Sequence, residues 1–137
     1  MIPHGRTAIT GAQAAEIMGL NPKTFRNRGV ARQAGAPKPL TVPGRKTPLW
    51  DRAQWEAYAA GRELPVWKVG TGGHPLDRLD TIEAAELLGV EPDTLHRYRA
   101  EGRLAGVDVC GVPHYWRGEL EYRRDNPGAP GRPRKAG

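Results

Sequence analysis

Ala14-Ala15-Glu16-Ile17-Met18-Gly19-Leu20-Asn21-Pro22-Lys23-Thr24-Phe25 returns 70 residues later as Ala84-Ala85-Glu86-Leu87-Leu88-Gly89-Val90-Glu91-Pro92-Asp93-Thr94-Leu95. Six of the twelve positions are identical, and four more exchange one apolar residue for another. A second pair of segments repeats at an offset of 65: Trp50-Asp51-Arg52-Ala53-Gln54-Trp55-Glu56 lies over Tyr115-Trp116-Arg117-Gly118-Glu119-Leu120-Glu121. The five-residue change falls in the connection between them, where differences in length are tolerated. The chain therefore holds two copies of one unit, each of roughly 55 residues.

Each copy reads alike. Thr10 or Thr81 can cap a short helix in which Ala14, Ile17 and Met18 (Ala84, Leu87 and Leu88 in the second copy) form an apolar stripe at i, i+3 and i+4. Gly19 and Gly89 fall where that helix must end in a tight turn. Pro22 and Pro92 then open a second helix at the position where a missing N–H costs nothing. Phe25 and Leu95 face inward to close a small core. Helix, glycine turn and helix form the helix-turn-helix pattern. A hairpin is expected next. In the first copy it comprises Leu40–Val42, the turn Pro43–Thr47 and Pro48–Trp50; in the second, Val107–Val109, the turn Cys110–Pro113 and His114–Trp116. A last amphipathic helix spans Arg52–Ala60 or Arg117–Arg124, with Trp55, Tyr58 and Leu120 as buried candidates. The expected fold is mainly α with small β-hairpin wings: two tandem winged helix-turn-helix domains. Their boundaries are 1–62 for the basic first domain, 63–78 for a Gly/Pro-rich linker, 79–126 for the acidic second domain and 127–137 for a basic tail too polar to pack.

Charge follows the repeat. The net charge of the 137 residues is +6. Met1–Pro75 holds eleven Lys/Arg against four Asp/Glu, Leu76–Asn126 seven against eleven, and Pro127–Gly137 adds three cations. A polyanion should feel the front half and the tail first. No apolar run approaches the length of a membrane span, and Met1–Thr10 lacks the apolar core of a signal peptide, so a cytoplasmic, nucleoid-associated protein is expected. The single Cys110 excludes an intrachain disulfide.

The run Leu88-Gly89-Val90-Glu91-Pro92-Asp93-Thr94-Leu95-His96-Arg97-Tyr98-Arg99-Ala100-Glu101-Gly102-Arg103-Leu104 resembles the signature of MerR-type and excisionase-like winged helices. In the first copy, Gly35-Ala36-Pro37-Lys38-Pro39 followed by Pro48-Leu49-Trp50-Asp51-Arg52 is similar to the AlpA-like branch of that superfamily. The resemblance implies binding of duplex DNA, with the second helix in the major groove and the wing at the backbone or minor groove. The long coiled-coil helix of an effector-sensing MerR regulator is not seen, which points away from a small-molecule sensor.

Within that frame, Lys23, Arg26 and Asn27 share one helical face. Arg pairs bidentately with guanine and Asn with adenine, so this face has the chemistry of base readout. Thr24 and Arg28 suit phosphate contacts, and Arg45 and Lys46 place two cations on the wing turn. The second copy offers Thr94, His96, Arg97 and Arg99, with Tyr98 at the position where the resemblance implies a phosphate neighbour. In the tail, Pro130-Gly131-Arg132-Pro133-Arg134-Lys135 resembles a degenerate AT-hook, with Arg132, Arg134 and Lys135 as backbone or minor-groove cations. A solvated polar face is the plain alternative for each helix.

No catalytic constellation is evident. The chain has no serine, and Gly70–Gly73 follows no strand and opens no helix. One Cys and four scattered His do not build a closed zinc site, so no metal, cofactor or enzymatic activity is expected. The expectation is a sequence-specific double-stranded DNA-binding protein, a monomeric pseudo-dimer able to assemble along DNA. Its role would be that of an excisionase (recombination directionality factor) or a small transcriptional regulator, with an integrase/recombinase or RNA polymerase as candidate partner. The alternative is an adaptor whose acidic second domain docks a recombinase, polymerase or terminase subunit.

Overall fold

A strand of only two or three residues precedes the first helix of each copy, too short to show an alternating hydropathy pattern. In the first unit β1 (Ala8–Ile9) leads into α1 (Gly11–Ile17), α2 (Pro22–Asn27), a 3-10 turn (Val30–Arg32), β2 (Trp50–Asp51) and α3 (Arg52–Ala59). In the second, β3 (Arg78–Asp80) leads into α4 (Thr81–Leu88), α5 (Pro92–Ala100), β4 (Val107–Val109), β5 (Val112–Trp116) and α6 (Arg117–Asp125). The computed structural model describes residues 1–66 and 73–126, and these form two units that divide inside the expected linker 63–78. The linker's last residues belong to the second unit, because Asp77 is buried and Arg78 begins β3. Six helices and two small antiparallel sheets make up the described residues.

The offsets of the sequence repeat are also the offsets of the hydrogen bonds. Ala8 pairs with Asp51 and Ile9 with Trp50; Arg78 pairs with Trp116 and Leu79 with Tyr115. Just beyond, the Arg52 N–H donates to the Thr7 carbonyl and the Arg117 N–H to the Asp77 carbonyl, both at 2.9 Å. Helices α1 and α4 open with capping boxes, Thr10 with Gln13 and Asp80 with Glu83, each satisfying N–H groups that a helix start leaves without partners. The cap of α4 is thus Asp80 rather than the expected Thr81, which is the first helical residue. Both helices close on a left-handed glycine, Gly19 at φ 73° and Gly89 at φ 71°. There the Leu20 N–H donates back to the Ala15 carbonyl and the Val90 N–H to the Ala85 carbonyl.

Seven buried residues form each core. Ile9, Ala14, Ala15, Phe25, Trp50 and Trp55 correspond to Leu79, Ala84, Ala85, Leu95, Tyr115 and Leu120, and Val30 and Leu104 complete the two sets. The first core is aromatic: Trp55 meets Phe25, Trp50 and Tyr58 edge-on, with ring centroids 5.4, 6.3 and 5.6 Å apart. The second is mostly aliphatic. Burial of each larger aliphatic or phenyl side chain among these, such as Ile9, Phe25 or Leu95, contributes about 1.5–3 kcal/mol.

A buried carboxylate locks each strand pair. Arg6 grips Asp51 with two bonds of 2.9 Å, and Asp51 also caps α3 by accepting the Gln54 N–H. In the second unit Arg117 donates to Asp77 at 3.1 Å, and Asp77 accepts the His74 N–H. The base comes from the first-strand side in the first unit and from the last-strand side in the second, so acid and base have changed sides between the copies.

The expected hairpin forms in one copy only. In the second unit β4 and β5 pair through Val109 and Val112, closed by the two-residue turn Cys110-Gly111, so β5 starts earlier than expected. Both turn residues have positive φ, 52° and 78°, as a type I′ turn requires. In the first unit the segment expected as strands, Leu40–Val42 and Pro48–Leu49, is irregular. The Leu40 N–H donates to the Leu49 carbonyl at 2.7 Å, the Leu49 N–H bonds the Thr41 hydroxyl, and Trp50 pairs instead with Ile9. Pro39, Pro43 and Pro48 remove the donors that a ladder would need.

Candidate nucleic-acid interface

Helix α2 is short because Gly29, at φ 61°, ends it after six residues. Asn21 caps its start, accepting the Thr24 N–H at 2.8 Å. Phe25 is its buried residue, which leaves Lys23, Arg26 and Asn27 exposed and Thr24 half-buried. Arg28 is exposed at the C-terminal cap. No acidic side chain lies on this helix. Of the two loop cations, Lys46 is exposed and Arg45 half-buried.

The structure brings Arg26 and Lys46, drawn from separate motifs, to the walls of one groove of about 580 Å³. Arg32, absent from the sequence-predicted set, joins them there. Its guanidinium lies beside Gly29, where a β-carbon would come within 3.2 Å of Arg32 Nη2. A signal for Arg32 existed in the sequence, because it follows the glycine that must turn the chain back beside α2.

In the second unit α5 runs for nine residues, and Leu95 is its buried residue. His96 and Arg97 are exposed, and Thr94, Tyr98 and Arg99 half-buried. Arg99 is engaged: its Nη1 donates to Asp108 on β4 at 3.0 Å, and its side chain crosses Gly106, where a β-carbon would approach within 2.6 Å. The helix is thereby strapped to the hairpin. Around the Tyr98 ring gather Arg123 at 4.1 Å from the centroid, Arg103 at 5.4 Å and Arg97 at 5.7 Å. Sequence reading missed Arg103 and Arg123, since Arg123 arrives from α6. This unit, acidic in total, therefore carries a local concentration of guanidinium groups.

No family model, curated protein or solved structure matches this chain. The residues themselves carry the functional reading.

Several neighbouring groups take other roles. His114 is buried, with Nδ1 2.9 Å from the Val112 carbonyl, and burial pushes its pKa below the ordinary histidine value. Cys110 is exposed at the hairpin turn, and partial burial of its thiol pushes that pKa up. Among the described residues no group of three or more His, Cys, Asp or Glu could hold a metal ion. No described helix is long and apolar enough to cross a membrane. Arg132, Arg134 and Lys135, like Trp67 and Gly70–Gly72, lie outside the described residues.

Proposed function

We propose that the chain is a sequence-specific double-stranded DNA-binding protein made of two winged helix-turn-helix units. Its role would be that of a recombination directionality factor or a small transcriptional regulator. The observation that carries this reading is the convergence of Arg26 and Lys46 with Arg32 on one groove beside an acid-free helix. Base-reading and phosphate-reading chemistry thus share one surface. Lys23, Arg26 and Asn27 would read base edges, while Thr24, Arg28, Arg45 and Lys46 would hold the backbone. In the second unit Thr94, His96, Arg97 and Tyr98, with Arg103 and Arg123, would meet phosphates. Arg99 would act mainly by strapping α5 to the hairpin.

Salt titration of duplex binding separates these roles. The Arg45→Ala, Lys46→Ala double variant should weaken all sequences alike and make the salt slope shallower by about two. The Arg26→Ala, Asn27→Ala pair should instead relax sequence preference, at a cost of about 1–3 kcal/mol per base contact at the preferred site. An equal loss across all sequences from the second pair would remove the base-readout assignment.

One observation favours a second reading for the second unit alone. Its hairpin turn, Cys110-Gly111, bears no cation, and Arg99 is already held by Asp108. Docking of a recombinase, polymerase or terminase subunit by this unit fits those facts, and leaves DNA binding to the first unit.

A further inference from the structure

The first unit's groove has features that duplex reading does not use. Its volume, about 580 Å³, lies within the range typical of small-molecule sites. Pro22, Phe25, Pro48 and Trp50 give it ring-lined walls, while Arg26, Arg32 and Lys46 supply cations from α2, the 3-10 turn and the loop before β2. No acidic side chain lines it. Phe25 and Trp50 are each only 6% exposed and are braced by Trp55, so the walls are preformed rather than assembled on binding. The absence of a side chain at Gly29 leaves the space in which the Arg32 guanidinium lies.

Three cations with no counter-charge in the lining fit an anion of more than one charge. A phosphate monoester carries about −1.5 to −2 at neutral pH and presents three strong acceptor oxygens. Guanidinium forks match that geometry. A diester, with a single charge, would leave the groove's charge less well balanced. The parts of these rings that reach the groove favour a flat body beside the phosphate, because aromatic pairs gain from stacked and edge-on contacts beyond the area they bury. We propose that this groove binds a phosphate monoester joined to a flat ring system, of mononucleotide size. Two sources share that chemistry: a free nucleotide and the 5′-phosphorylated end of a DNA strand. Arg26 and Lys46 also belong to the duplex-reading surface, so ligand and duplex would exclude one another. That last consequence rests on the DNA-binding reading; the ligand site does not.

The test is calorimetric titration of the full chain with adenosine 5′-monophosphate. The expected result is binding with a dissociation constant below about 1 mM, with adenosine and inorganic phosphate each at least about tenfold weaker. Arg32→Gln and Lys46→Gln should each weaken binding by about tenfold, since each removes a charge-assisted hydrogen bond. Both residues are exposed, and an unchanged thermal melt verifies that the variants fold. No binding at millimolar nucleotide, or binding undiminished in the double variant, overturns the proposal. A short duplex with a 5′-phosphate, compared with the same duplex bearing a 5′-hydroxyl, distinguishes the sources. Preference for the phosphorylated end supports a strand terminus, and equal binding of the two duplexes beside retained nucleotide binding supports a free nucleotide. Nucleotide binding without any duplex binding would remove the DNA reading and leave the groove assigned. The reverse pattern would remove the groove assignment alone.

Discussion

The two units share a frame and differ at nearly everything mounted on it. Strand register, capping boxes, left-handed glycines and helix-opening prolines coincide at the repeat offsets. The core chemistry, the length of the second helix and the segment before the last strand do not. Backbone hydrogen bonds and φ requirements tolerate few residue types, whereas a core accepts any set of side chains of suitable volume. The exposed face of the second helix is free of both constraints. There Asp93 stands at the position that Lys23 holds in the first unit, while Arg97 and Arg99 keep the second helix cationic on balance.

The exchanged ion pairs provide the sharpest way to break this comparison. Arg6→Met leaves the Asp51 carboxylate buried with only the Gln54 N–H, and should destabilise the first unit by about 3–5 kcal/mol. Arg117→Met removes the guanidinium partner of the buried Asp77 carboxylate and should destabilise the second unit. Hydrogen exchange resolved along the chain should show each loss within its own unit. Little change at either site would mean that the pair is dispensable to the frame.

A second difference lies one residue before the equivalent aromatic positions Trp50 and Tyr115. His114 occupies the position of Leu49, and both are fully buried. The pKa of His114 is lowered by burial, so in acid the unfolded chain binds a proton that the folded chain refuses. The stability it supports is present above the unfolded histidine value, about 6.5, and declines as pH falls through that value toward the lower folded pKa. His114→Leu copies the first unit and should flatten this decline. Denaturant melts at pH 7.5 and 5.0 would measure it, and an unchanged difference between the two would assign the acid sensitivity elsewhere.

The smallest effect concerns the hairpin that only the second unit possesses. Cys110 is the sole described residue other than glycine with positive φ. Asn tolerates that conformation better, so Cys110→Asn should stabilise the second unit by about 0.5–1 kcal/mol. A lower melting temperature would show that the thiol makes a contact worth more than the relieved strain.

Much of this architecture was legible because its signals are local. Gly19, Pro22 and their counterparts announce turn and helix start through backbone requirements alone, and the repeat doubles each signal. The short strands β1 and β3 were not legible, because two or three residues carry no period and their pairing depends on segments far along the chain. The first unit's hairpin was expected from apolar residues flanking a turn, although Pro43 and Pro48 within that stretch, and Pro39 just before it, deny it a ladder. In the site, the α2 face followed from helical spacing. Arg32 was signalled only by the turn at Gly29, and Arg123 not at all, since tertiary packing brings it from α6 to Tyr98. Arg99 was assigned to DNA on sequence grounds, but its partner Asp108 lies on a different element.

The central claim is that the first unit reads bases through α2. Selection of duplexes by the full chain from a random pool, repeated with the Arg26→Ala, Asn27→Ala variant, tests it most directly. The account predicts a defined, non-palindromic motif for the parent chain, because the two second helices differ at their exposed positions, and loss of the motif positions read by α2 in the variant. Recovery of no motif by the parent chain, or of the same motif by the variant, would contradict it.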